Sequence, residues 1–87
     1  MPSSLESLSE QEVEYLKFLL FRCTQPKEKW DKLFSNYLDK LIKDGRITGQ
    51  ISVQMRLKEI GLVTADEKGK NYVTGLVDLY IEQGLLD

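Results

Sequence analysis

The stretch that decides the fold is QISVQMRLKEIGLVTADEKGKNYV, residues 50–73. Ile51, Val53, Met55 and Leu57 alternate with Ser52, Gln54, Arg56 and Lys58, which is the period of a strand, and two of the four are β-branched. The same residues also suit a short helix over 52–60, with Ser52 as its cap and Gly61 as its stop. As a helix it carries Ile51, Met55 and Leu62 on one side and Val53, Leu57 and Ile60 on the other. Both sides are apolar, so such a helix is expected to be sandwiched. A strand here needs a partner, and residues 61–65 or 71–75 are the available ones.

The flanking segments read more plainly. Ser9 and Glu12 form a capping box that opens a helix over 10–22, and Leu8 before the cap can staple onto Val13. Val13, Leu16, Leu19, Leu20 and Cys23 share one face, with Tyr15 at its edge. Phe18 and Phe21 point elsewhere, among Glu14, Lys17 and Arg22; either another part of the chain covers them or they are open to a partner. Pro26 suits the first turn of a second helix over 26–44. Trp30, Leu33, Phe34, Tyr37, Leu38, Leu41 and Ile42 give it a core stripe, and Asp44-Gly45 ends it. The short break between these two helices predicts an antiparallel hairpin. A last helix is expected over 71–83, with Val73, Leu76, Val77, Tyr80 and Ile81 as its stripe and Gly84 as its stop. Leu85 and Leu86 are placed to fold back onto the core.

These elements make an all-α domain of four helices, about 10–22, 26–44, 52–60 and 71–83, spanning 1–87 as one unit. The alternative is an α+β fold with a strand or hairpin within 50–74. Here "RLKEIGLV", the Gly69-Lys70 tip and "NYVTG" together resemble the end of a winged-helix domain. That resemblance, over about residues 52–75, implies a recognition helix, a strand, a basic wing and a second strand. The apolar character of both sides of 52–60 departs from it, because a recognition helix needs one polar face for the groove. So does the length of the second helix. Asp66 and Glu67 in the wing position would be repelled by phosphate.

Composition bounds the function. A chain of 87 residues, 41% hydrophobic, supports one core, and apolar surface left over from so small a core often goes to a partner. The net charge of −2 is unevenly spread: residues 1–16 are acidic, 17–58 carry a net +6 and 59–87 a net −4. Cys23 is the sole cysteine; it suits a reducing compartment and reads as a small buried hydrophobe. MPSSLESLSE lacks the basic and apolar regions of a secretion signal, and the longest apolar run is Phe18–Phe21, so a cytoplasmic location is expected.

The chain has no histidine, which removes the commonest general base and the Cys/His zinc sites. Thr64 and Asn71 stand where a phosphate-binding loop ending at Gly69-Lys70 requires glycine and Ser or Thr. Residues 66–77 lack the ligand spacing of a calcium loop. No enzyme activity, cofactor or metal is expected. The function expected is a protein-protein interaction or regulatory module, an adaptor or homodimer, with Phe18, Phe21 and Arg22 as candidate contacts. The alternative is nucleic-acid binding along a ridge of Lys29, Lys32, Lys40 and Lys43 opposite the core stripe, with Arg22, Arg46 and Arg56 able to extend it.

Overall fold

In the computed structural model, residues 5 and 7–86 are described; parts of MPSSLESLSE, and Glu6 and Asp87 of the charge pattern, lie outside them. Helix α1 (Glu10–Cys23) begins where local chemistry requires it. The Glu12 amide N–H donates to Ser9 Oγ at 3.2 Å, and the Ser9 N–H donates to Glu12 Oε1 at 2.8 Å. The Glu12 carboxylate is buried and also accepts from Arg56 Nη1 at 2.5 Å. Burial alone would raise its pKa; the Ser9 N–H and the Arg56 guanidinium outweigh burial and hold it below the usual 4.5. A carboxylate with a depressed folded pKa contributes stability that is present above the unfolded value and lost as pH falls through the folded one. Glu12→Gln is therefore expected to cost about 1–2 kcal/mol at neutral pH. In thermal unfolding followed against pH, the gap from the natural protein should close below the usual carboxylate range. A gap that stays constant into acid would contradict the role given to Glu12.

After Pro26 a 3-10 turn, Lys27–Lys29, leads into α2 (Trp30–Lys43), so the second helix starts later than the expected 26. Trp30 Nε1 donates to the Gln25 carbonyl at 3.0 Å and pins that entry. Trp30, Tyr37 and Leu41 are buried, as the stripe predicts, but Ile42 at its end is 58% exposed. The two helices meet through rings rather than through an intimate backbone hairpin. Phe18 stacks on Tyr37 at 4.5 Å between centroids, with Phe34 and Tyr15 beside it. Burial, then the nearby Glu14 carboxylate, push the Tyr37 hydroxyl up to about 12, so it stays neutral.

The deciding stretch is helical in its first half. A 3-10 turn at Ile47–Gly49 precedes α3 (Gln50–Glu59). The alternation over 51–57 resolves into two i, i+4 pairs on opposite sides of the helix. Val53 and Leu57 are sealed at 7% and 0% exposure, whereas Ile51 and Met55 are 71% and 65% exposed. The expected sandwich is thus closed on one side and open on the other. Gly61 (φ +85°) ends α3: its N–H donates to Lys58 O and the Leu62 N–H to Leu57 O.

Strands β1 (Val63–Ala65) and β2 (Asn71–Val73) then pair antiparallel, with Val63 opposite Val73 and Ala65 opposite Asn71. The expected helix over 71–83 is corrected here. Asn71–Val73 is strand because β1 offers it a ladder, and only α4 (Val77–Glu82) is α-helical. Asp66 builds the turn, its carboxylate accepting the N–H groups of Lys68 at 2.9 Å and Lys70 at 2.8 Å. Those amides, Lys70 foremost, hold its carboxyl below the usual range. Gly69 (φ +80°) supplies the left-handed residue that this turn needs.

The described residues are therefore mostly helical, with four α-helices and a small two-stranded sheet. The core gathers Tyr15, Leu16 and Leu19 with Val53, Leu57, Leu62, Val63, Val77, Tyr80 and Leu86 around the α2 contacts. Leu86 folds back onto it, as expected, while Leu85 is 45% exposed. Among the described residues no helix is long and apolar enough to cross a membrane.

Candidate functional site

Two features outside the core combine geometry with chemistry. The first is the open side of α3. At 3.6 residues per turn Ile51, Met55 and Lys58 share one face, with Ser52 and Glu59 along its edge, and all five are exposed. The face is held rigidly, because its other side is anchored in the core by Val53 and Leu57. Its apolar character is the signal that sequence reading assigned to burial within the chain.

The second is a cleft of about 380 Å³ between α1, the start of α2, α3 and the hairpin. Arg22 forms its wall. Its side chain leaves the last turn of α1, its guanidinium lies 4.4 Å from the Trp30 ring centroid and 5.5 Å from that of Tyr72, and Nη2 donates to the Asn71 carbonyl. Only 5% of the residue is exposed. Lys27 and Lys70 each bring Nζ to 5.6 Å from the same Trp30 ring. The Asn71 side chain closes the floor: Nδ2 donates to Tyr15 Oη at 3.0 Å and to Gln54 Oε1 at 3.2 Å. Burial pushes the Tyr15 hydroxyl above its usual range despite the Asn71 hydrogen bond.

The residues singled out from sequence are dispersed. Phe18 is half-buried beneath the α2 rings and Arg22 is inside, so of the three candidate contacts Phe21 alone is exposed, at 52%. Cys23 is exposed rather than buried, because the last turn of α1 sends Arg22 inward in its place. Lys29, Lys32, Lys40 and Lys43 are all exposed, and none makes an ion pair among the described residues. Lys29 sits in the 3-10 turn rather than on α2. The arginines do not lengthen this ridge. Arg46 is committed to Glu14 at 2.8 Å and Asp44 at 3.0 Å, Arg56 to Glu12, and Arg22 to the rings.

Among the described residues no group of three or more Cys, Asp or Glu side chains is arranged to hold a metal ion. What these features offer is recognition: an apolar helix face, a cationic cleft and a row of ammonium groups. No protein-family model matches the chain, and no curated protein or solved structure was found to be similar to it.

Proposed function

We propose that the chain is a small non-enzymatic interaction module, an adaptor or regulator, that presents the open side of α3 to an apolar segment of a partner protein. The observation that carries this is the pair Ile51 and Met55, one turn apart and 71% and 65% exposed on a helix locked from behind. Large apolar side chains on a rigid element contribute most where they are desolvated by a partner and cost little ordering entropy on binding. The charged neighbours Lys58 and Glu59 supply a polar rim.

A photo-crosslinking residue at Met55, used in the native cells, tests the proposal. Discrete protein adducts are expected from Met55, and Ile51→Ser should abolish them while leaving the unfolding temperature within a few degrees of the parent. Adducts that survive Ile51→Ser, or that are absent, would overturn it.

One observation favours a second reading, nucleic-acid binding: Lys29, Lys32, Lys40 and Lys43 are exposed and unpaired among the described residues. Over residues 50–73 the order helix, strand, a tip flanked by Lys68 and Lys70, and second strand also follows what the winged-helix resemblance implies. This reading requires salt-dependent binding of duplex DNA, and Lys32→Gln with Lys40→Gln should lower the salt slope by about two. The apolar face of α3 favours the protein partner.

A further inference from the structure

The outward face of α1 carries an inference that goes beyond the α3 surface and does not rest on it. At 3.6 residues per turn Glu10, Lys17 and Phe21 share one side of that helix, flanked by Val13 and Glu14 and opposite Leu19 in the core. Glu10, Lys17 and Phe21 are all exposed. Phe21 is 52% exposed, and among the described residues no ring or cation packs on it. Toward the start of the same face lies an open groove of about 440 Å³, lined by Leu8, Val13 and Leu85 with Glu10, Glu14 and Lys17. The charges along it are unevenly used. Glu14 is held by Arg46 at 2.8 Å, whereas Glu10 and Lys17 make no ion pair among the described residues. Two turns separate them, roughly 10 Å along the helix, so they do not meet within one chain.

We propose that this face binds a second copy of the chain, with α1 packed antiparallel on the α1 of that copy. Reversal sets Glu10 of each copy opposite Lys17 of the other, so the face is its own charge complement, as a two-fold interface requires. The same register carries Phe21, one turn past Lys17, beyond Glu10 of the second copy to the Leu8 end of its groove. The two-fold repeats that insertion, so knob and groove on one face close a pair instead of starting a fibre. One helix face and one residue of the tail make a contact smaller than the roughly 800 Å² per partner of a stable interface. The dimer is therefore weak, with a dissociation constant on the order of 100 μM.

Sedimentation equilibrium of the full chain, from about 10 μM to about 1 mM, should show a reversible monomer–dimer equilibrium that added salt weakens. Lys17→Glu sets like charges together twice and should weaken association by about tenfold or more. Adding Glu10→Lys to it restores both opposite-charge pairs and should return association to within about threefold of the parent. Phe21→Ser should weaken the dimer by about tenfold while leaving the unfolding temperature within a few degrees of the parent. The proposal is overturned if the chain is monomeric at about 1 mM, or if it associates without stopping at a dimer. It is equally overturned if the double charge variant is no better than Lys17→Glu alone. A dimer that survives Phe21→Ser and is lost in Ile51→Ser would belong to α3 instead, and would overturn it too.

Discussion

Leu57→Ala should destabilise the domain by about 3–4 kcal/mol, whereas Met55→Ala, two residues earlier, should change stability by no more than about 0.5 kcal/mol. Leu57 is 0% exposed and packs with Leu16, Leu19, Leu62 and Val77 in the core; Met55 is 65% exposed. Truncating a buried leucine loses both its transfer free energy and the contacts around the cavity left behind. In a domain of this size the total stability is on the order of 4–13 kcal/mol, so the first substitution removes a large share of it. The unfolding temperature should fall by about 12–32 °C for Leu57→Ala and by a few degrees at most for Met55→Ala. The contrast tests the fold itself. In a strand, residues 55 and 57 would share a face and cost alike; on a helix they lie about 200° apart. Similar losses from the two variants would refute the placement of α3, and with it the open face on which the proposed function rests.

Arg22→Ala should be the second most damaging change, at about 3 kcal/mol. Three contributions meet there. The charge-assisted hydrogen bond to the Asn71 carbonyl is worth about 1.5–3 kcal/mol, and its loss leaves that carbonyl without the guanidinium. The stacking on Trp30 and Tyr72 adds on the order of 1–2 kcal/mol in so buried a setting. Relief of guanidinium desolvation offsets part of both. Arg22→Lys keeps the charge but not the planar group that stacks while donating sideways, so it should recover less than half of the loss. Amide hydrogen exchange gives a readout that general destabilisation would not mimic. Under conditions where the variant is still folded, protection at Tyr72 and Thr74, whose N–H groups face β1, should fall by more than protection at Leu16 and Leu19 in α1. A lysine variant as stable as the parent, or uniform loss of protection, would mean that Arg22 does not hold the hairpin.

These two residues also show where sequence and structure part. The capping box at Ser9 and Glu12, the stripe from Trp30 through Leu41 and the stop at Gly61 were readable, because each rests on contacts within a few residues along the chain. The segment 71–73 was readable as a strand only in the alternative α+β reading, against the helix expected over 71–83. Three residues carry no usable period, and Asn-Tyr-Val becomes a strand only when Val63–Ala65 lies alongside it. Arg22 read as an exposed charge at the end of an amphipathic helix. Its burial depends on Trp30 and on Tyr72, fifty residues away, and no local pattern reports that. Phe18 resolved the other way, covered by the α2 rings.

Local chemistry along the chain was enough to determine where α1 starts, which side of α2 is apolar, where the glycine stops fall and that the α2 lysines face outward. Each of these follows from hydrogen bonds and side-chain spacing within a turn or two of helix. Tertiary packing alone decided that the alternating run at 51–57 is a helix with one apolar side open, that 71–73 is a strand, and that Arg22 meets Trp30, Tyr72 and the Asn71 carbonyl. In each case the competing local states are close in free energy, and long-range burial and pairing, worth several kcal/mol, select among them.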